Sequence, residues 1–132
     1  MNPTVYFADA TSLCRTVLTE LGVPVSHRIP PARPQRFVTV TRTGGPRMNL
    51  VADNAQVTVD SWAESDDIAH DLAQLARARL VAAAGTVVDG VTIVRVQEIS
   101  GPGWLPDDLS GQPRYRQSFS VATRGGPSPL SA

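Results

Sequence analysis

The stretch AQVTVDSWAESDDIAHDLAQLARARL, residues 55–80, decides the fold because its hydrophobic period changes half-way along. Residues 55–63 alternate β-branched and polar side chains, which is typical of a strand. Ser65 is placed to cap a helix, and Asp66 and Asp67 then lie in its first turn, where carboxylates favour the helix dipole. The apolar residues that follow recur at helical spacing, and we expect them to form the buried stripe: Ile68, Leu72, Leu75, Ala76 and Leu80. This stretch therefore predicts a strand that leads directly into a helix.

An earlier helix is predicted over residues 9–21. Its apolar residues share one helical face: Ala10, Leu13, Cys14, Val17, Leu18 and Leu21. Asp9 caps its start, and Gly22 followed by Pro24 ends it. The next segment, RIPPARPQR at residues 28–36, carries three prolines and is predicted to be an extended connector.

Strands are predicted on both sides of the central stretch. Residues 37–42, FVTVTR, place Val38 and Val40 on one side, opposite Phe37, Thr39 and Thr41. The sequence TGGP then turns the chain. The other β-type segments are residues 50–62, with a short strand at 49–52 before it, then 87–99 and 115–124.

The order of elements is helix, strands, helix, strands. Adjacent strands predict an α+β fold, in which a small mixed or antiparallel sheet has both helices packed on one face. The length suits one domain, residues 1–126, and residues 127–132 are expected to be a disordered tail. The weakest strands, at 49–52 and 87–89, are the expected sheet edges.

The segment SGPGWLPDDLSGQPRYRQSF, residues 100–119, contains the longest predicted loop. Its first fourteen residues, 100–113, hold three glycines and three prolines, more than a hairpin needs, and loops of that length are commonly functional. Trp104 and Leu105 are the apolar anchors expected of a subunit or partner contact, with folding back over the protein's own core as the alternative. Charges of both signs surround them. The predicted interface residues are Arg42, Trp104, Leu105, Asp107, Asp108, Arg114 and Arg116.

Catalytic motifs are not found in the sequence. Cys14 lies on the apolar stripe of the first helix and is expected to be a small buried hydrophobe. His27 and His70 have no metal-ligand spacing around them, no G-x-S-x-G elbow occurs, and the glycine pairs lack the Lys-Ser/Thr of a phosphate loop. We therefore expect no catalytic, cofactor or metal residues and no enzymatic activity.

Charge and hydropathy narrow the function classes further. The chain has 12 basic and 12 acidic residues, and every basic residue is arginine. No run approaches 18 apolar residues and no export signal is evident, so we expect a soluble protein made in a cytoplasm, with no membrane partner. Five arginines within twenty residues leave a local nucleic-acid surface as an alternative: Arg28, Arg33, Arg36, Arg42 and Arg47.

Three segments carry a resemblance to a known family. They are VPVSHRIPPARPQRFVTVTRTGG (23–45), VTVDSWAESDDIAHDLAQLARARL (57–80) and VQEISGPGWLPDDLSGQPRYRQSFSVATRG (96–125). The chain resembles the tail terminator, or tail completion, proteins of long-tailed bacteriophages and prophages of actinobacteria, over nearly its whole length up to about Gly126.

The resemblance implies a function in virion assembly. Such a protein forms a ring of six subunits on the head-proximal end of the tail tube, where it stops polymerisation of the major tail tube protein. It then offers a surface to the head-completion or connector protein, and genome DNA passes through its lumen without specific binding. A ring requires a heterologous, head-to-tail interface between subunits. Another neck protein, either head-closure or head–tail adaptor, is the nearest alternative.

Overall fold

The fold is an α+β arrangement of two helices on one six-stranded sheet, as the sequence predicts. A computed structural model describes residues 4–127, so the predicted C-terminal tail lies outside the described residues from position 128 onward. The elements in chain order are α1 (Ala10–Leu18), a 3₁₀ turn (Thr19–Leu21), β1 (Val25–Ser26), β2 (Phe37–Gly44), β3 (Ala52–Trp62), α2 (Asp66–Ala82), β4 (Val87–Val88), β5 (Val91–Trp104) and β6 (Arg114–Arg124).

The strands lie in the order β1-β2-β3-β6-β5-β4. β1 is parallel to β2, and every other neighbouring pair is antiparallel. The long strands β3 and β6 pair along their whole length, from Ala52 opposite Arg124 to Trp62 opposite Arg114. The sheet is therefore mixed, and its two edges are very short strands. Short edges limit unwanted pairing with other chains.

The core lies between the helices and one face of the sheet. Alternate strand residues supply the sheet side, because successive side chains point to opposite faces. These buried residues are Val38, Val40, Ala55, Val57, Val59, Phe119 and Val121. α1 contributes Ala10, Cys14 and Leu18, and α2 contributes Leu72, Ala76 and Leu80. Both helices thus cover the same face, and the opposite, open face carries polar residues such as Thr58, Ser118 and Ser120, with Phe37 and Trp62 at its loop end.

The helix starts are as predicted. Asp9 Oδ1 accepts a hydrogen bond of 3.0 Å from the Thr11 backbone amide at the start of α1. Gly22 then ends the following 3₁₀ turn with a φ of 75°, a conformation that glycine adopts without strain. Ser65 caps α2, where its hydroxyl accepts from the Ile68 amide at 3.3 Å.

The buried stripe of α2 differs from the prediction at two positions, and the first is Ile68, which is only half-buried and lies outside the core cluster. Leu75 is 57% exposed, so it was wrongly assigned to the core. The residues that contact the sheet closely include two alanines, Ala69 and Ala73, each fully buried. Gln117 Nε2 donates to the Ala73 carbonyl at 2.9 Å, which shows how near the helix backbone lies to the sheet. Small side chains suit these two positions, where the helix backbone lies close to the sheet.

Residues 49–51 do not form the predicted strand. Asn49 Oδ1 accepts hydrogen bonds from the amides of Val51 and Ala52, both at 2.9 Å, and so closes a turn. β3 begins only at Ala52 and lies inside the sheet, so the prediction of an edge at 49–52 was wrong. The predicted edge at 87–89 is present as β4, and the other edge is β1.

The sheet has two distinct ends. At the loop end, β5 finishes, β6 starts and α2 begins. At the α1 end, α1 crosses the strands from β2 to β4. Thr11 Oγ1 accepts from the Arg42 amide at 3.0 Å on one side, and Thr16 Oγ1 donates to Asp89 Oδ2 at 2.9 Å on the other.

Candidate protein-docking site

The loop that joins β5 to β6 is shorter than the sequence predicts. β5 continues through the glycines and Pro102 as far as Trp104, which lies opposite Tyr115. The register of β5 against β6 shifts between Glu98 and Ser100 and again between Ser100 and Gly103. These bulges accommodate the glycines and the proline within the strand. The connecting loop is therefore residues 105–113, and the prediction that the strand ends at Ser100 was wrong.

Asp107 organises this loop from within. Its Oδ1 accepts from the Leu109 amide at 3.3 Å, its Oδ2 accepts from the Ser110 hydroxyl at 2.6 Å, and its carbonyl accepts from the Gly111 amide at 2.7 Å. Gly111 has a φ of 70°, which closes the turn. The hydrogen bond from Ser110 is the main reason that the pKa of the Asp107 carboxyl is lowered. The turn thus satisfies its polar groups internally.

The loop is also fastened to the connector that precedes β2. Arg33 Nη1 donates to Gln112 Oε1 at 3.1 Å, and its Nη2 lies 3.6 Å from Asp107 Oδ2. Gln112 Nε2 in turn donates to the Gln35 carbonyl at 3.2 Å. Two segments that lie more than seventy residues apart in the chain are therefore held together by side chains of both.

A buried tryptophan supports the base of the loop. Trp62 is 1% exposed and stacks on Phe37, with ring centroids 5.1 Å apart. The guanidinium of Arg114 lies 4.8 Å from the Trp62 ring centroid, and that of Arg33 lies 5.2 Å from it. Arg114 Nε also donates to the Leu105 carbonyl at 2.7 Å. Cation–π contacts of this kind fix the guanidinium groups, and through them the loop.

Three apolar side chains of the loop end remain in solvent. Trp104 is 60% exposed, Leu105 is 42% exposed and Leu109, at the tip of the turn, is 97% exposed. Trp104 Nε1 donates to Asp66 Oδ1 at 3.1 Å, so its indole is oriented by α2 and is not folded over the core. The alternative in which Trp104 covers its own core is therefore wrong.

Exposed acidic residues also lie at the loop end, at the start of α2 and in the turn. We call the exposed apolar and acidic residues of this end the docking corner: Asp66, Asp67, Trp104, Leu105, Asp108 and Leu109. Leu109 was missed in the sequence because it follows two aspartates in a polar loop. The signal that could have revealed it is the sequence DDLSG, in which Asp, Ser and Gly form a tight turn with leucine at its apex.

The predicted interface residues fall into two groups. Trp104, Leu105, Asp107, Asp108 and Arg114 come together at the loop end. Arg116 lies next to them on the open face, where it pairs with Asp60 at 2.9 Å. Arg42 is at the α1 end and binds Asp53 at 2.7 Å, so it is separate from the docking corner. Whether these residues contact another subunit stays a prediction.

Most of the five arginines of residues 28–47 are engaged by other side chains. Arg33, Arg36 and Arg42 each pair with a carboxylate, those of Asp107, Glu64 and Asp53 respectively. Arg47 lies over the ring of Phe7, 5.8 Å from its centroid. Three of the five charges are therefore offset by carboxylates.

The groups considered for chemistry are separated in the fold. Burial raises the pKa of the Cys14 thiol to about 12, so this side chain is a neutral part of the core. His27 approaches the Val40 carbonyl at 3.3 Å, whereas His70 packs edge-on against Tyr115 in another part of the molecule. Within residues 4–127, no three His, Cys, Asp or Glu side chains converge as a metal site. No helix in that range is both long and apolar enough for a membrane crossing.

Neither the scan against protein-family models nor the search of curated proteins returns a match.

Proposed function

We propose that this protein is a phage tail terminator, a structural subunit without catalytic activity. In this role it forms a ring on the head-proximal end of the tail tube, stops tube polymerisation and provides the surface for the head-completion protein. Its place is the head–tail junction of the virion, after assembly in the bacterial cytoplasm. The proposal starts from the resemblance in three segments of the sequence, and the docking corner is the structural observation that supports it.

The docking corner has the properties of a protein-binding site. Its apolar side chains are exposed, yet the loop that carries them is fixed: Asp107 accepts from the Leu109 amide, Arg114 donates to the Leu105 carbonyl, and Arg33 donates to the Gln112 side chain. A surface fixed before binding loses little conformational entropy on association, which favours affinity. Aromatic and aliphatic anchors surrounded by polar groups are typical of the residues that dominate protein–protein contacts.

The pairing of charges favours protein partners over nucleic acid. Arginine contacts to phosphates require guanidinium groups that are free to bind. Six of the twelve arginines form ion pairs with carboxylates in the structure: Arg33, Arg36, Arg42, Arg77, Arg79 and Arg116. A ring with these properties lets DNA pass through its lumen without holding a particular sequence.

The test is an assembly assay with the major tail tube protein of the same genome. We expect the purified protein to form rings of six subunits in negative-stain images and in mass measurements over a concentration series. Added during polymerisation, it should shorten the tubes and appear at one end of each.

Three other outcomes would contradict the proposal. A protein that stays monomeric and leaves tube length unchanged is not a terminator. Rings that do not bind tail tubes but bind the portal or connector indicate a head-closure or head–tail adaptor protein. Steeply salt-dependent DNA binding would indicate the nucleic-acid alternative.

A further inference from the structure

The open face of the sheet carries an excess of positive charge. Phe119 and Val121 of β6 point to the helices, so the even-numbered residues of this strand point to the open face. Asp60 of β3 lies on the same face, opposite Arg116, with which it pairs at 2.9 Å. Within the described residues, β2, β3, β5 and β6 place no other carboxylate there. Four arginines share the face: Arg95 on β5, and Arg114, Arg116 and Arg124 on β6.

Two of these arginines are free to bind a ligand. Arg95 and Arg124 are exposed, and within residues 4–127 neither forms an ion pair. Arg95 lies opposite Ala122, so Arg124, two residues further along β6, is its diagonal neighbour. Diagonal neighbours on antiparallel strands lie about 7–8 Å apart. Arg114, by contrast, is held over the ring of Trp62. The two free guanidinium groups therefore form one pair on the open face.

The strand residues around this pair are small and polar. Hydroxyl and amide side chains, together with arginine, make many of the contacts to phosphate oxygens in protein–DNA complexes. Trp104 and Leu109, the anchors that suit a protein partner, lie at the loop end. The open face thus has the composition of a phosphate-binding surface, with these neutral residues: Asn54, Thr58, Gln97, Ser118 and Ser120.

The helix side of the molecule carries the opposite charge. Asp66, Asp67 and Asp71 are exposed on α2, and none of them pairs with an arginine in the part of the chain that the structure describes. The two carboxylates that the strands place on the helix side, Asp53 and Glu98, are each bound by an arginine. A polyanion is therefore attracted to the open face and repelled by the start of α2.

We infer that the open face of the sheet lines the lumen of the ring, where Arg95 and Arg124 contact the phosphate backbone of double-stranded DNA. Phosphate contacts carry no sequence information, so the duplex is bound without regard to its sequence. One copy supplies two free guanidinium groups, whereas about six to ten phosphate contacts make DNA binding steeply salt-dependent. A single copy therefore holds DNA weakly, and contacts of this kind allow sliding. The inference rests on the proposed ring and names the face that its subunits turn inward.

Photocross-linking tests which face of the protein contacts DNA. Gln97→Cys places a thiol on the open face, and Leu75→Cys places one on the outer side of α2, both at exposed positions. Each thiol is labelled with an aryl azide, and Cys14 stays unlabelled because it is buried. Rings of each variant are illuminated with a linear duplex of random sequence at low salt. We expect about tenfold more cross-linked DNA from Gln97→Cys than from Leu75→Cys.

Removal of the arginine pair tests the residues themselves. In rings labelled at Gln97→Cys, the double change Arg95→Gln with Arg124→Gln should lower the yield of cross-linked DNA about tenfold, because each subunit loses two phosphate contacts. The matched control, Arg15→Gln with Arg28→Gln, removes two exposed arginines of α1 and the connector and should leave the yield unchanged. Both double variants should still form rings and shorten tail tubes, which shows that they fold.

The other outcomes separate this inference from the proposed function. Equal cross-linking from both faces, or a yield that survives loss of the arginine pair, overturns the inference while the terminator stands. If the Arg95 and Arg124 variant melts like the parent but no longer forms rings or stops tubes, the open face binds protein and the inference is overturned. Rings that cross-link DNA through the open face but never stop tube growth support the inference and contradict the proposed function. A parent chain that is monomeric at every concentration overturns both.

Discussion

Trp62 and Trp104 lie at the same end of the sheet, yet the first is 1% exposed and the second 60% exposed. Trp62 is on the open face, where Phe37 stacks on it and two guanidinium groups lie against its ring. Trp104 is on the helix side, where it makes a single hydrogen bond to Asp66. Identical side chains therefore have opposite surroundings because of what neighbouring segments place over them.

The difference between the two tryptophans separates stability from recognition. Residues around Trp62 come from β2, β3, the connector and β6, so they tie the loop end together. The residues around Trp104 leave most of its ring accessible, and burial of that ring requires another molecule. An aromatic side chain that is oriented but uncovered is well suited to contribute binding energy.

Replacing each tryptophan by alanine should separate the two roles. We expect Trp62→Ala to lower the free energy of unfolding by about 3–5 kcal/mol, because it empties a buried site. We expect Trp104→Ala to lower it by about 1 kcal/mol or less, since only one exposed hydrogen bond is lost. Denaturant unfolding of the monomer measures both values. Equal losses in the two variants would show that Trp104 is part of the core.

Two exposed leucines provide the next and smaller contrast. Leu109 is on the docking corner and Leu75 is on the outer side of α2, and both are exposed to solvent. We expect Leu109→Ser to weaken self-association by about thirtyfold, the usual effect of losing a dominant anchor, and Leu75→Ser to leave it unchanged. Sedimentation over a concentration series gives both dissociation constants. Equal dissociation constants for the two variants would show that Leu109 is not part of the interface.

The strands and caps were predictable because their signals are local. Alternation identified β2, with Val38 and Val40 directed to the core, and Ser65 marked the start of α2. The stripe of α2 was partly misassigned because Leu75 was preferred to Ala69 and Ala73 on hydrophobicity alone. Closeness of helix to sheet favours alanine there, and that distance depends on the tertiary fold.

The docking corner was only partly predictable because it, too, depends on the tertiary fold. Trp104 and Leu105 were identified from their setting among glycines and prolines, although bulges that carry β5 past Pro102 were not expected. Burial of Phe37 and Trp62 on the open face depends on Arg33 and Arg114, which are distant in sequence.

The smallest expected effect concerns the pH dependence of the turn beneath Leu109. The hydrogen bond from Ser110 lowers the folded-state pKa of Asp107 relative to the unfolded chain. Its ionised form therefore stabilises the fold above the unfolded pKa, near 3.9, and this contribution is lost as the pH falls through the lower folded value. In the Asp107→Asn variant the side-chain amide at this position does not titrate.

The difference in unfolding free energy between the parent and this variant should therefore be constant above about pH 5 and shrink below about pH 4. Asp108→Asn, at the exposed neighbouring position, is the matched control. Denaturant unfolding at pH values from below 4 to above 5 measures this difference in free energy. A difference that does not change with pH would show that the Asp107 carboxylate does not hold the turn. Because the turn presents Leu109, loss of self-association should follow the same titration as the loss of stability.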